Sequence, residues 1–480
     1  MSGSLLSVGS SAITLVLGVA RSIMMARFLF PEAVGVSALA LVYYNLAAEL
    51  SRIGIHNAFI HHKDADEKVR ATYFTLNAVL TAASMILLAV AAPFLGRFHS
   101  DMTGLAAVIN AYLLVGFIRI FNSTQMGMLT KDLSFKKIAI VDIASSICMG
   151  VVGPWMAWQG YGVWAIVGEM AAGVISRALF LFWGGVHWRP RFGWDRESVR
   201  WFYDYGIKVW WASNFTYLLD RFDDFWIGTV LGKSPLGYYS KAYEYAGYPR
   251  RVVSTPLLDV FYPTFARLQD DRLGLSRAFF RVTSLMVRFG CWFSLIFVLT
   301  APEFVPLLLG AQWLPMVGAF QLMIIYTLLS PLSEAASNLL LAVGQPAAVL
   351  RIRWVQLLLF IPAVILLASA GGIEGVALAA DGMILIGTAL SFAATRRVVD
   401  YSLRAMWGWP MIALVLAGGA TLALGPFWDT LHPWLSLLAK SAVISLIYGA
   451  VLLLFERRQL LTGWKMVVGL IRPERENVKT

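Results

Sequence analysis

Apolar residues follow one another in long blocks along nearly the whole chain, and short polar segments separate the blocks. Each block has the length of about 20 residues that an α-helix needs to cross the ~30 Å hydrocarbon core of a bilayer. The blocks do not alternate over about 10 residues as membrane β-strands do, so a β-barrel is not expected. The pattern predicts fourteen spans, at approximately 5–29, 33–56, 71–97, 104–127, 138–158, 162–184, 204–231, 235–265, 278–301, 314–338, 347–370, 374–395, 406–425 and 434–455.

The composition indicates an all-α polytopic membrane protein. Of the 480 residues, 59% are hydrophobic and 14% are charged, whereas a soluble domain contains about 25% charged residues. The net charge of +11 is explained by Lys and Arg in cytoplasmic loops, so no nucleic-acid partner is predicted. Cys148 and Cys291 both fall inside predicted spans, where they provide neither a disulfide framework nor a metal site.

Basic residues are concentrated in alternate loops. They recur in the segments 63–70, 131–137, 189–200, 267–277, 351–353, 396–404 and 457–479, while the intervening loops contain only Arg97 and Lys233. The positive-inside rule therefore places both termini in the cytoplasm.

Short motifs recur in order along the chain. Residues 29–35 resemble 231–237 at an offset of 202, and residues 162–165 resemble 375–378 at an offset of 213. The repeats predict two six-span lobes related by a pseudo-two-fold axis along the membrane normal, with two extra helices. The predicted domains are an N-lobe at 1–184, a cytoplasmic connector at 185–203, a C-lobe at 204–397, spans 13 and 14 at 398–456 and a cytoplasmic tail at 457–480.

Spans 7 and 8 contain many charged residues, although a charge at the centre of a membrane helix costs roughly 2.5–3.5 kcal/mol. Asp220, Asp223 and Asp224 share one face of span 7, because residues three and four apart lie on the same side of a helix. This face is a candidate for binding a coupling cation or a proton. The alternative is a structural ion pair of Asp223 or Asp224 with Arg221 or a neighbouring helix.

Arg250 and Arg251 lie near the middle depth of span 8. Guanidinium groups form bidentate hydrogen bonds with phosphate, so the pair is a candidate contact for a diphosphate. The alternative is a pair of side chains that extend to the cytoplasmic face. Further candidates for contacts with substrate or cavity are Arg21, Lys241, Arg119, Lys208 and Arg52, and further candidates for ion coupling are Glu49, Glu244 and Glu334. No metal site is predicted, because the His61-His62 pair has no additional ligands nearby in sequence.

Several motifs resemble those of bacterial polysaccharide flippases, the Wzx-type, polysaccharide-transport branch of the multidrug/oligosaccharidyl-lipid/polysaccharide (MOP) superfamily. These motifs are ARFLFPEAVG at 26–35, SRIGI at 51–55, DDFWIG at 223–228, LGYYSKAY at 236–243 and FYPTFARL at 261–268. Arg52 departs from the family pattern, which has an acidic or neutral residue there. The resemblance extends over about residues 1–400 and is most similar to exporters of the colanic-acid, xanthan and succinoglycan type.

The resemblance implies a MOP flippase fold and transport by alternating access. The implied substrate is an undecaprenyl-diphosphate-linked oligosaccharide repeat unit, moved from the inner to the outer leaflet for exopolysaccharide or O-antigen synthesis. The implied location is the bacterial cytoplasmic (inner) membrane, with the polymerase and chain-length regulator of the same pathway as partners. No cofactor is expected, and H⁺ or Na⁺ coupling or the membrane potential would drive transport.

Two other functions are compatible with a polytopic chain. A multidrug or cation antiporter of the same fold would be expected to have a cavity dominated by carboxylates, whereas this chain combines acidic residues with deep arginines. An integral-membrane polysaccharide polymerase would be expected to have a large periplasmic loop, and all predicted outer loops are short. The sequence contains no Walker, HExxH or Gly-x-Ser-x-Gly motif, so an enzyme is not predicted.

Overall fold

Helices form all the regular structure of the chain in the part that the computed structural model describes, which is residues 2–61, 66–132, 134–183 and 190–471. Seventeen α-helices and no β-strand occur in these ranges. The predicted all-α class is therefore confirmed. The helices form two compact units, residues 2–240 and residues 241–480.

The first unit is built from long helices whose ends are set by local sequence signals. Pro31 opens α2 at its first turn, where the missing N–H has no helical partner in any case. Asp195 caps α8 by accepting hydrogen bonds from the amide and the hydroxyl of Ser198, and these bonds hold the pKa of Asp195 below its ordinary value. The helices are α1 (Ser2–Phe28), α2 (Pro31–Ser51), α3 (Ile55–His61), α4 (Glu67–Phe98), α5 (Leu105–Lys131), α6 (Phe135–Trp158), α7 (Val163–Trp183), α8 (Arg196–Trp226) and the start of α9 (Lys233–Ala246).

The second unit contains the end of α9 and the helices that follow. They are α10 (Thr255–Arg267), α11 (Arg272–Phe304), α12 (Val317–Leu322), α13 (Ile324–Ala342), α14 (Pro346–Thr395), α15 (Leu403–Ala423), α16 (Gly425–Trp428) and α17 (Pro433–Ile471). Helix α14 bends sharply at Gly371 and Gly372, where Gly372 has a φ of 56°, and α17 bends at Glu456. The bend in α14 separates predicted spans 11 and 12.

Eleven helices in the described ranges are long and apolar enough to cross a membrane. The 50-residue Pro346–Thr395 accounts for two predicted spans because of its bend. Predicted spans 7 and 8 are absent from the eleven, since α8 carries many charges and span 8 is divided among α9, a π-helical turn at Arg250–Ser254 and α10. The remaining predicted spans each correspond to one of these helices.

The turn before α2 and the turn before α9 pack against each other in a reciprocal contact. Gly35 lies against the carbonyl oxygen of Lys233, and Gly237 lies against the carbonyl oxygen of Pro31, so closely that neither position has room for a Cβ atom. The Ser234 hydroxyl donates a 2.9 Å hydrogen bond to Glu32. These residues belong to the predicted repeat at an offset of 202, so the repeat is also visible as a contact.

Helices α2 and α8 also contact each other. The Tyr217 hydroxyl donates to the carbonyl of Val42 at 2.6 Å, and the Trp210 indole N–H donates to the carbonyl of Leu50 at 3.0 Å. A Cβ atom at Gly54 would overlap the backbone of Gly206, and a Cβ atom at Gly206 would overlap the carbonyl oxygen of Ile53. Helix α8 is therefore packed against α2 within the N-terminal unit.

Candidate functional site

A cavity of about 660 Å³ lies inside the N-terminal unit, among α2, α4, α5, α6, α7 and α8. Its lining includes the amides of Asn77 and Asn122, and the Asn77 amide donates to the Ser123 hydroxyl at 2.9 Å. Polar groups at this depth of a helical bundle occur where the helices enclose a wet space rather than face lipid. The cavity is therefore the candidate functional site.

Three arginines line the cavity together with a single acidic residue, Glu49. Arg52 pairs with Glu49, three residues earlier on α2. Arg177 on α7 pairs with Asp142 on α6 at 2.6 Å. These two ion pairs fix the side chains that form them and compensate two of the three positive charges.

Arg119 on α5 is the third arginine of the cavity. Its side chain is exposed, and among the described residues no hydrogen bond, ion pair or ring contact engages its guanidinium group. A guanidinium carries five N–H donors in a fixed planar arrangement that matches phosphate and carboxylate. The cavity therefore presents one uncompensated cation to a bound molecule.

The carboxylates on the acidic face of α8 differ in their burial and in their hydrogen-bond partners. The Asp223 carboxylate is buried and accepts hydrogen bonds from the Tyr239 hydroxyl at 2.6 Å and from the Asp224 amide at 2.9 Å. Asp224 pairs with Arg221 at 2.8 Å and accepts from Ser240 at 3.4 Å. The bonds from Tyr239 and Ser240 join α8 to α9. The pair of Asp224 with Arg221 is the structural ion pair that the sequence left open as the alternative to cation or proton binding. Asp220 lies on the same face and is exposed.

Arg21, another candidate of the first unit, is not among the residues that line this cavity. Arg21 on α1 pairs with Glu169 on α7 at 2.9 Å, and both side chains are largely buried. Glu169 is the single carboxylate of predicted span 6, and a lone carboxylate within a span indicates a buried partner. The side chain of Lys208 lies outside the described residues, as do those of His61 and His62.

The candidates at the start of the second unit lie where span 8 is broken. Lys241 pairs with Glu244 at 2.8 Å, and Glu244 also accepts from the Tyr248 hydroxyl at 3.1 Å. Arg250 donates to the Ser330 hydroxyl at 3.4 Å. The exposed Arg251 lies over the ring of Tyr248, at 5.5 Å from its centroid. Their role as diphosphate contacts stays a prediction.

A second cavity, of about 410 Å³, lies between α10 and α13 in the second unit. Glu334 and Asn338 line it from α13, and Tyr262 and Thr255 line it from α10. Glu334, predicted as an ion-coupling residue, is therefore adjacent to an open space. No positively charged residue lines this cavity in the part of the chain that the structure describes.

Arg288 on α11 forms the most buried ion pair of the described chain, an arrangement that the sequence did not reveal. Its guanidinium contacts the Glu456 carboxylate at 2.7 Å, and the two side chains are 5% and 2% exposed. Glu456 lies at the bend of α17, just after predicted span 14. The buried ion pair thus connects span 9 with the end of span 14. The Arg288 guanidinium is occupied by this pair and does not line a polar path across the membrane.

The fold defines the class of protein. The chain superposes on the lipid II flippase MurJ in an inward closed conformation with a TM-score of 0.73, covering 95% of this chain and 99% of that chain at 14% sequence identity. It superposes on an inward-facing multidrug resistance MATE family transporter of the MOP superfamily with a TM-score of 0.65, covering 82% and 98% at 15% identity. The predicted MOP fold is therefore confirmed.

Within this class, the chain belongs to the polysaccharide biosynthesis protein family, whose model matches residues 24–318. It is 26% identical over 399 residues to the lipopolysaccharide biosynthesis protein WzxC of Escherichia coli (strain K12), covering 82% of this chain and 80% of that protein. It is 25% identical over 302 residues to the succinoglycan biosynthesis transport protein ExoT of Rhizobium meliloti (strain 1021), covering 60% and 58%. The family that the sequence motifs indicated is confirmed.

Proposed function

We propose that this protein moves undecaprenyl-diphosphate-linked oligosaccharide repeat units from the inner to the outer leaflet of the bacterial cytoplasmic membrane by alternating access. Membership of the polysaccharide biosynthesis family and the fold shared with a lipid II flippase support the proposal. The observation that carries it is the position of Arg119 in the cavity of the N-terminal unit.

Arg119 supplies the charge that a diphosphate requires. The ion pairs of Arg52 with Glu49 and of Arg177 with Asp142 leave it as the uncompensated cation of the cavity lining, within the described residues. A bound diphosphate would offset the cost of holding this charge within a membrane protein. The amides and hydroxyls around the cavity suit the sugar hydroxyls of a repeat unit.

The charge balance of the cavity distinguishes this function from that of a cation antiporter with the same fold. Three arginines and one glutamate line the cavity. An organic cation would lie beside an uncompensated arginine there, which is electrostatically unfavourable. The lining therefore favours an anionic substrate.

The location and the partners follow from the substrate. Its diphosphate-linked sugars are assembled on the cytoplasmic side, so the chain lies in the inner membrane with both termini in the cytoplasm, as the loop charges indicate. The repeat unit delivered to the outer leaflet is then joined by the polymerase of the pathway, with a chain-length regulator. The protein itself acts as a transporter, without catalysis of bond formation.

The proposal is tested by Arg119→Ala in proteoliposomes that contain an undecaprenyl-diphosphate-linked oligosaccharide. A charge-assisted hydrogen bond contributes about 1.5–3 kcal/mol, so the apparent affinity should fall by roughly 10-fold to 100-fold. Arg119→Lys should retain part of the activity, because lysine keeps the charge but not the bidentate geometry.

Arg97→Ala is the matched control, because Arg97 is also an exposed arginine, at the end of α4, and does not line the cavity. It should transport at the wild-type rate. Equal transport by Arg119→Ala and Arg97→Ala would reject the cavity as the diphosphate site. Transport of an organic cation but not of the lipid-linked saccharide would support the antiporter instead.

A further inference from the structure

Asp381 is a buried carboxylate in the membrane-embedded part of α14, within the second unit. The residue is 4% exposed. Its Oδ1 accepts a 2.8 Å hydrogen bond from the backbone amide of Tyr326 on α13. Its Oδ2 is buried and accepts no hydrogen bond from any described residue, and no ion pair engages the carboxylate there.

The amide that Asp381 binds has lost its helical partner. Span 10 is interrupted at Met323, where α12 ends and α13 begins. Tyr326 is the third residue of α13, and the first amides of a helix have no acceptor within that helix. The Asp381 carboxylate therefore supplies the hydrogen bond that the interruption removes.

The same interruption also contacts the break in span 8. The hydroxyl of Tyr326 lies 2.6 Å from that of Tyr243 on α9. The next residue, Thr327, donates from its hydroxyl to the carbonyl of Ala246 at 2.9 Å, and Ala246 is the last residue of α9. The π-helical turn begins four residues later, at Arg250. A continuous set of contacts thus leads from Asp381 through span 10 to span 8.

We propose that Asp381 is a proton-binding site of the second unit, and that its protonation state sets the conformation of the breaks in spans 10 and 8. An ionised carboxylate buried away from water costs several kcal/mol unless it is fully paired. Proton binding at Oδ2 removes the charge, and it also weakens the bond from Tyr326, since hydrogen bonds to an ionised acceptor are about twice as strong as neutral ones. Protonation should therefore loosen the contacts through which span 10 holds the segment from Tyr243 to Ser254 in place.

The surroundings favour a proton over a metal cation. Hard cations bind several oxygen ligands at once, and no group of three or more potential acidic, His or Cys ligands occurs among the described residues. Helix α12 carries no titratable side chain, and α13 carries only Tyr326 and Glu334. Glu334 lines the second cavity, eight residues further along α13 than Tyr326. On α14 itself, the nearest charged residue is Glu374, seven residues before Asp381.

This inference goes beyond the proposed function, because it requires no lipid-linked substrate and is tested without one. Infrared difference spectra of the protein in liposomes, recorded as the pH is changed, should show the C=O band of a protonated carboxyl group. Asp381→Asn should lose that band, because the amide still accepts from Tyr326 but exchanges no proton. Asp429→Asn, at an exposed aspartate after α16, is the control and should keep it.

Hydrogen–deuterium exchange of the segment 243–254 measures the coupling. In the wild type and in Asp429→Asn, protection should change over the same pH range as the carboxyl band, and in Asp381→Asn it should not change with pH. If Asp381→Asn does not fold, Asp381→Glu should shift the midpoint of both signals, because it retains a titratable group in an altered position. A band and an exchange profile unaffected by both variants would overturn the proposal, as would protection that follows Na⁺ concentration at constant pH.

Discussion

Gly35 and Gly237 occupy the same position in two related helical turns, and each packs directly against the backbone of the other turn. The carbonyl oxygen of Lys233 contacts Gly35, and that of Pro31 contacts Gly237. Gly35 and Gly237 are 202 residues apart in the sequence, as are Pro31 and Lys233, so the contact is the same in both directions. The absence of side chains at these two positions allows α2 and α9 to meet.

Alanine at either glycine should destabilise this contact. A Cβ atom would overlap a backbone oxygen, which cannot rotate away as a flexible side chain would. Inserting an extra carbon into a close-packed site costs about 1–3 kcal/mol. The melting temperature of purified Gly35→Ala or Gly237→Ala in detergent should therefore fall below that of the wild type.

Gly150→Ala provides the control for this prediction. Gly150 lies in α6, and apart from the backbone of its own helix no described atom lies within 4 Å of the position that its Cβ would take. The melting temperature of Gly150→Ala should be equal to or higher than that of the wild type, because alanine is favoured over glycine within a helix by about 0.5–1 kcal/mol. Equal melting temperatures for all three variants would show that the reciprocal contact does not contribute to stability.

The buried pair of Arg288 and Glu456 should be essential for folding of the last helix. Removing one partner of a buried ion pair leaves an uncompensated charge and costs about 3–5 kcal/mol. Glu456→Ala should therefore lower the melting temperature strongly and make the end of α17 sensitive to protease. Replacing both residues, as Arg288→Met with Glu456→Leu, should restore much of the stability.

Asp142→Ala removes one partner of a more exposed ion pair, so its loss of stability can be compared with that of Glu456→Ala. Asp142 and Arg177 also form an ion pair, but their side chains are 33% and 39% exposed. Water can solvate the arginine that remains, so the loss of stability should be clearly smaller. A larger loss for Asp142→Ala than for Glu456→Ala would contradict the ranking by burial.

Arg250 and Arg251, which lie at the break in span 8, should contribute to transport. The double variant Arg250→Ala with Arg251→Ala should abolish polymer export while the protein remains in the membrane, because two potential diphosphate contacts are lost. Export is measured as extracellular polysaccharide from cells that lack the native copy. Arg277→Ala, an exposed arginine of α11, should export normally. Wild-type export by the double variant would exclude these arginines as diphosphate contacts.

The helices and the family were predictable because their signals are local. A segment in lipid must satisfy its backbone hydrogen bonds internally, so an apolar block of sufficient length has to form a helix. Glycine and proline mark the turn from Phe30 to Glu32 and the turn at Gly232. The motifs around these turns are continuous in sequence and indicated the polysaccharide biosynthesis family directly.

The break in span 10 and the role of Asp381 were not predictable in the same way. Span 10 reads as one continuous apolar block, and nothing in its sequence identifies Met323 as the site of interruption. The interruption is stabilised by a carboxylate 55 residues away from the amide that it binds. Asp381 lies within predicted span 12, but the sequence does not indicate what its carboxylate contacts.

The sequence by itself determined that this chain is a bundle of membrane helices with recurring motifs, positive charge concentrated in alternate loops and the motifs of one family. Only the tertiary structure decided which intramembrane charges compensate each other. Arg21 pairs with Glu169 and Arg288 with Glu456, whereas Arg119 lies in a cavity with no partner among the described residues. The reason is that helical periodicity states which residues share a face, but the partner of a charge depends on which helix packs against that face.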